Sequence, residues 1–267
     1  MAPSPLRPVS VPTATGSATL PDVTDRNEES PHGQPPDDHA MVHRLSEDTS
    51  GPLVEISGGS DRERAGLVGE LLDRHPGLAV WIDSPGTATD QAMADLGLSP
   101  SRDLLRMDVD LPVGSTTTVE TRAFEPGRDD RAWLETNNAA FAWHREQSGW
   151  SEEQLAARMA EDWFDPEGFR LYPADPGNGP DITAFCWVKV HDDRDPPVGE
   201  IYVIGVHPSA QGRGLGRALT LAGLGWMVER GLDRAELWVD ADNAAAVGLY
   251  RKLGFRPRVV RRLYLPR

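Results

Sequence analysis

Residues 199–219 read GEIYVIGVHPSAQGRGLGRAL, and the fold is decided there. Glu200 to Val206 is apolar and rich in β-branched residues, which suits a buried strand. Gln211-Gly212-Arg213-Gly214-Leu215-Gly216 follows as a glycine-rich turn, and a helical pattern begins at Leu215. Glycine lets the chain bend sharply and leaves its amides uncovered. A helix start adds unpaired N–H groups and a partial positive charge. Together they make a socket for a phosphate or diphosphate. The spacing is neither G-x-x-x-x-G-K-[ST] nor G-x-G-x-x-G, so two better-known phosphate loops are excluded.

What does match is Q-x-x-G-x-G after a strand that carries an acidic residue. Downstream, residues 243–255 fit N-x-x-A-x-x-x-Y-x-x-x-G-F, with Asn243, Ala246, Tyr250, Gly254 and Phe255 in the fixed positions. In this order, the two patterns resemble the signatures of the GCN5-related N-acetyltransferases. The resemblance implies an α/β (α+β) fold with a mixed sheet, and acetyl-CoA as co-substrate.

Composition narrows the field. The chain has 267 residues, of which 39% are hydrophobic, too few for one core from end to end. No apolar run approaches the ~18 residues of a membrane span. The start lacks a basic-then-apolar leader pattern, so a soluble cytoplasmic protein without membrane partners is expected. A net charge of -15 argues against nucleic acid. It leaves room for CoA, because Arg213, Arg217, Arg251 and Lys252 gather around the two signatures. The single cysteine, Cys186, lies in an apolar run and reads as a small core residue. No His/Cys/Asp cluster has ligand spacing, so no metal is expected.

Residues 1–50 are rich in Pro, Ser, Thr, Asp and Glu and read as a disordered tail. Residues 51–113 read as a partial domain. Its elements are strands at 53–56, 78–82 and 102–111, and helices at 61–74 and 88–96, with Ser60 as a candidate N-cap. This region repeats the end of the chain. Val80-Trp81-Ile82-Asp83 matches Leu237-Trp238-Val239-Asp240, and Leu96-Gly97-Leu98-Ser99-Pro100 matches Leu253-Gly254-Phe255-Arg256-Pro257. The offset is 157 residues in both. At that offset Met93 stands opposite Tyr250 and Gly86 opposite Asn243, so the first copy keeps packing residues and lacks the chemistry. It is expected to be non-catalytic.

Residues 114–267 read as the complete acetyltransferase domain. Strands are expected at 116–124, 169–172, 182–190, 200–206, 235–239 and 255–265. Helices are expected at 129–141, 151–162, 215–229 and 243–253, the second opened by a capping box at Ser151–Gln154. The polar and aromatic stretch 142–150 between the first two helices suggests a substrate lid.

A closer resemblance extends over residues 124–169, WVKVH and the glycine loop, which are similar to the mycothiol synthases, tandem acetyltransferases of actinobacteria. It implies acetylation of the cysteinyl amine of Cys-GlcN-Ins (desacetylmycothiol). It also implies acetyl-CoA binding by Ile204, Gly205 and Val206; by Gln211, Gly212, Arg213, Gly214, Leu215, Gly216 and Arg217; and by Asn243, Ala244, Ala245, Ala246, Val247 and Gly248. The implied substrate contacts are Glu146, Lys189, Glu200 and Trp238. A tyrosine is usual in the family where Trp238 stands. A monomer is expected.

The chemistry of acetyl transfer points to Glu200 and Tyr250. Glu200 can attract the ammonium and accept its proton, directly or through water; alternatively it is a strand-end carboxylate in a salt bridge. An α-amine has a pKa of ~7.7–8.0, so a modest base suffices. Tyr250 is the candidate acid for the departing CoA thiolate. With a phenol at ~10 and a thiol at ~8.5, that transfer is uphill by ~2 kcal/mol. Its alternative is a helix-face tyrosine packed on the sheet. Asn243 can serve purely as a helix cap. Two other functions stay open: the same chemistry on another small amine or a protein N-terminus, and an acetyl-CoA-binding module without turnover.

Overall fold

The computed structural model describes residues 9–10, 41–48, 51–142, 149–174 and 181–267. They fall into two compact units. One holds Leu104–Arg258 with the short strand β1 (Val9–Ser10); the other holds the described residues from 41 to Asp103 with Val259–Arg267.

The second of these units contains β2 (Val42–Asp48), β3 (Gly51–Ser57), α1 (Asp61–Arg74), β4 (Ala79–Asp83) and α2 (Thr87–Asp95). The strands follow the order β2-β3-β4-β11, where β11 is Arg256–Pro266. β3 and β4 run parallel, joined through α1; β11 is antiparallel to β4, with Leu263 opposite Trp81. Ser60 caps α1 as expected, in a reciprocal box with Glu63. Arg262 bridges Asp90 and Asp103, and the Tyr264 hydroxyl donates to Asp90 at 2.7 Å.

The larger unit contains the C-terminal half of β5 (Leu98–Asp110), then β6 (Arg122–Ala123), α3 (Asp130–Ala140), α4 (Glu152–Met159), β7 (Phe169–Pro173), β8 (Ile182–His191), β9 (Val198–Val206), α5 (Leu215–Glu229), β10 (Arg234–Asp240) and α6 (Ala244–Lys252). Its strands run β5-β10-β9-β8-β7-β6. All neighbours are antiparallel except β9 and β10. Alternation along β8 divides the core. Ala184, Cys186 and Val188 pack with α5 and α6, while Phe185 and Trp187 pack with Trp133 and Leu134 of α3. Gly223 lets α5 approach closely, since a Cβ there would lie 2.7 Å from the Cys186 sulfur.

The repeat is visible as structure. α2 and α6 have nine residues each, and their starts, Thr87 and Ala244, keep the 157-residue offset.

Three expectations are corrected. Residues 42–48, placed in the disordered tail, form β2, because Leu45 packs on the apolar cluster of that unit and the strand pairs along all of β3. The strand expected at 116–124 shrinks to two residues, Arg122 and Ala123, which alone pair with β7. The expected boundary at 113/114 is replaced by breaks inside two strands, after Asp103 in β5 and after Arg258 in β11. β5 follows α2 in sequence yet pairs with β10, so the catalytic-type unit draws a strand from the region read as the partial domain.

Trp133 is buried and sits edge-on to Trp150, Phe169, Phe185 and Trp187. Trp133→Ala is expected to lower unfolding free energy by about 3–5 kcal/mol, the range for a large aromatic removed from a packed core. Urea denaturation followed by circular dichroism checks this.

Candidate active site

The site begins with a failure of pairing. β9 and β10 are in register at Gly199–Ala235, Glu200–Glu236 and Ile201–Leu237, and their pairing ends there. Against β8, Trp187 faces Val203 while Val188 faces Ile201, which leaves Tyr202 as an extra residue in a β-bulge. A bulge bends its strand and increases the local twist. Beyond it β9 runs on to Val206 without β10, and Val203 and Ile204 pair with Ser10 and Val9 of β1.

The glycine loop follows. Gly212 and Gly214 have φ of +80° and +79°, a left-handed backbone that glycine adopts without strain. Gly214 is the N-cap of α5 and no side chain caps this helix start. The first intrahelical bond recorded there runs from the Ala218 amide to the Gly214 carbonyl. The amides of Leu215, Gly216 and Arg217 precede it, at the positions where a helix leaves N–H groups unpaired. Gly212, Arg213 and Gly214 are all exposed. The loop is therefore open, as its expected diphosphate role requires. Gln211 and Arg213 brace it, donating to the Val206 and Ser209 carbonyls at 3.5 and 3.3 Å.

The equivalent corner of the smaller unit is closed. Between β3 and α1, the Glu63 carboxylate accepts from the Ser60 amide at 2.8 Å and from its hydroxyl at 2.6 Å. A carboxylate already occupies the anion position of that helix start.

Glu200 lies within a line of charged residues. Strand register places Lys189, Glu200, Glu236 and Asp108 side by side across β8, β9, β10 and β5. Glu200 is 4% exposed. Its Oε2 is 2.6 Å from His191 Nε2, and its Oε1 is buried with no hydrogen-bond partner among the described residues. Glu236 accepts from Arg194 at 2.9 Å, and Asp108 accepts from Arg234 and Arg258 at 2.9 and 2.8 Å. These groups, with Arg106, line a cavity of ≈ 400 Å³. Lys189 holds its ammonium 4.9 Å from the Trp163 ring centroid. Trp238 is half-buried, in register with Arg106.

Tyr250 is fully enclosed and edge-on to Phe255. Burial pushes its phenol well above the ordinary range, with the neighbouring Cys186 adding to the rise. The same burial pushes the Cys186 thiol up to about 12, so it stays a thiol, as a core residue should. Asn243 caps α6, its side-chain oxygen accepting from the Ala246 amide at 3.1 Å. Ala246 and Val247 are core residues, whereas Ala244 is exposed and Ala245 and Gly248 are half-buried.

Several readings change. Glu146 and most of the expected lid, 143–148, lie outside the described residues. Trp150, at the lid's far end, is buried in the aromatic cluster. Asn138 fixes it, accepting from its amide at 2.9 Å and donating to its carbonyl at 3.0 Å. His207 is taken up locally with Ser209. Sequence reasoning missed His191, Arg194, Glu236 and Asp108. His191, Glu200 and Glu236 place ligand-type atoms within 4.8 Å of one another, a clustering no sequence spacing shows because three strands supply it.

A splayed parallel pair, an uncapped glycine turn and a buried strand carboxylate define the acetyltransferase class of site. The model of the acetyltransferase (GNAT) family matches residues 131–255. Among solved structures, a GCN5-related N-acetyltransferase from Sphaerobacter thermophilus aligns with a TM-score of 0.66. It is 23% identical, and the match covers 85% of this chain and 76% of that one. The mycothiol acetyltransferase of Paenarthrobacter aurescens is 42% identical over 226 residues, 78% of this chain and 68% of that protein. That of Arthrobacter sp. (strain FB24) is 46% identical over 187 residues, covering 67% of this chain. The chain belongs to the mycothiol acetyltransferase family, within the GNAT acetyltransferases. It spans 57% of the length of the Arthrobacter protein.

Gly214→Ala tests the loop. A Cβ there meets nothing within 4 Å, so the effect is backbone strain alone. A left-handed alanine costs about 1–2 kcal/mol, and acetyl-CoA affinity is expected to fall roughly tenfold by titration calorimetry. Unchanged affinity would mean that these amides do not hold the ligand.

Proposed function

We propose that the chain is an acetyl-CoA-dependent N-acetyltransferase acting on the cysteinyl amine of Cys-GlcN-Ins. The observation that carries the reading is Glu200: a buried carboxylate with one oxygen unpartnered among the described residues, one row before the last at which β9 and β10 pair. The names of the relatives supply the acceptor.

In this reading the diphosphate of acetyl-CoA lies on the Gln211–Arg217 turn, with Ile204–Val206 beside the thioester. Main-chain N–H groups near Val206 hydrogen-bond the thioester carbonyl as negative charge develops on it. Lys189 and Trp238 lie on the acceptor side, and Glu146 is a further contact. Asn243 acts as the cap of α6, and through that helix it positions Tyr250. Glu200 takes the ammonium proton at Oε1, and the neutral amine attacks the thioester carbon. The tetrahedral intermediate collapses and the C–S bond breaks. Tyr250 then protonates the sulfur, and the second proton shed by the nitrogen as the amide forms returns to the Tyr250 oxygen through water.

The raised phenol makes Tyr250 a weaker acid than an exposed tyrosine. A CoA thiolate forming against the same apolar wall meets the same penalty, as the neighbouring Cys186 thiol does. The gap between donor and acceptor therefore stays within reach of one catalytic step. The smaller unit has no part in cofactor binding, because its helix start holds its own carboxylate.

Incubation with acetyl-CoA and Cys-GlcN-Ins is expected to give the N-acetylated product by mass spectrometry, ahead of other amines in a panel. Tyr250→Phe is expected to lower kcat by roughly 10²–10⁴-fold while leaving the melting temperature near that of the parent. Near-parental turnover in that variant would remove Tyr250 from the mechanism.

A further inference from the structure

We propose that His191 is the second half of the base, holding Glu200 ionised in its buried position and carrying the acceptor's proton out to solvent. The inference rests on the acetyltransferase reading above for its chemistry, and on the contact itself for its geometry. Nε2 of His191 lies 2.6 Å from Glu200 Oε2. At that separation an anionic oxygen and a bare ring nitrogen would repel, so a proton lies between them. The other ring nitrogen, Nδ1, is 4.0 Å from the exposed Asp193. The ring thus connects a buried carboxylate to the protein surface.

Charged groups surround the ring. On its own segment His191 meets Asp193, and across the strands it meets Glu200 and Glu236. Arg194 neutralises Glu236, and Lys189 stands beside Glu200 in register with its ammonium over Trp163. A cation at hydrogen-bonding distance favours the ionised carboxylate, opposing the penalty of burial.

The proton count closes. The amine N–H breaks and Oε1–H forms on Glu200, while the proton shared between Oε2 and Nε2 passes wholly to the ring. The Nδ1–H then breaks, and its proton leaves to water beside Asp193. A flip of the ring then carries its N–H outward and turns the bare nitrogen inward, and the carboxyl group, after its own half-turn, shares its proton with that nitrogen, which restores the starting state. The net change is one proton moved from amine to solvent. His191 touches Glu200 rather than the reacting atoms, so it is a positioning residue.

Two measurements test this in the full-length protein. In His191→Gln, kcat/KM near neutral pH is expected to fall by roughly 10–100-fold. The acid limb of the pH–rate profile is expected to move up by about one unit, because a buried carboxylate without its cation protonates more readily. Imidazole added to His191→Ala is expected to restore part of the rate. An acid limb that stays in place, with the loss equal at every pH, would overturn the proposal. So would loss of parental activity on chelation with recovery on adding zinc, which would make the cluster a metal site.

The second measurement needs no acceptor. The ring-nitrogen NMR titration of His191 is expected to shift by a unit or more when Glu200 becomes Gln. No shift would sink the pairing even if acetyl transfer is confirmed. A clear shift without transfer to any amine would instead leave the pair intact and remove the acetyltransferase reading.

Discussion

Everything in the larger unit turns on one extra residue in one strand. Tyr202 has no opposite number on β8, and β9 stops pairing with β10 at the residue before it. Beyond that row β9 changes partner: Val203 and Ile204 pair with Ser10 and Val9 of β1. By ending the pairing after three positions, the bulge leaves β9 free of β10 on the approach to the glycine turn. Glu200 sits one row inside that limit, in pairing with both Lys189 and Glu236.

The contrast between the two helix starts is equally physical. α1 and α5 each follow a strand, each begin after glycines with positive φ, and each connect parallel neighbours. One ends in a serine–glutamate capping box, and the other in a bare glycine. A helix N-terminus accepts one anionic partner in its first turn. Where the chain supplies that partner itself, no ligand is invited. The two helix starts thus differ by Ser60 and Glu63 against Gly214 and Gly216.

Much of this was legible in the sequence. The elements from Phe169 to Lys252 follow from apolar alternation, glycine punctuation and capping residues, and α1 with its N-cap Ser60, and the capping box at Ser151–Gln154, were located to within a residue. The repeat offset, read from the strand and Leu-Gly matches, also relates the observed starts of α2 and α6. What sequence did not carry was register. Glu236 and Asp108 are ordinary charged residues until β10 and β5 place them in line with Glu200. His191 sits at the end of an apolar run, where only the antiparallel turn back to β9 brings it to the carboxylate. β2 was hidden because its composition matches that of the preceding polar residues, and its stability comes from pairing rather than from its own pattern. Trp150 illustrates the opposite failure: a polar neighbourhood suggested a lid, while tertiary packing claimed the indole for the core.

The partition of strands has a consequence for how such a chain can change. The last nine residues, Val259–Arg267, belong to the unit otherwise built from the start of the chain, and a segment ahead of the apparent linker belongs to the unit with the site. Neither half is a cassette that deletion or recombination can excise at a single cut.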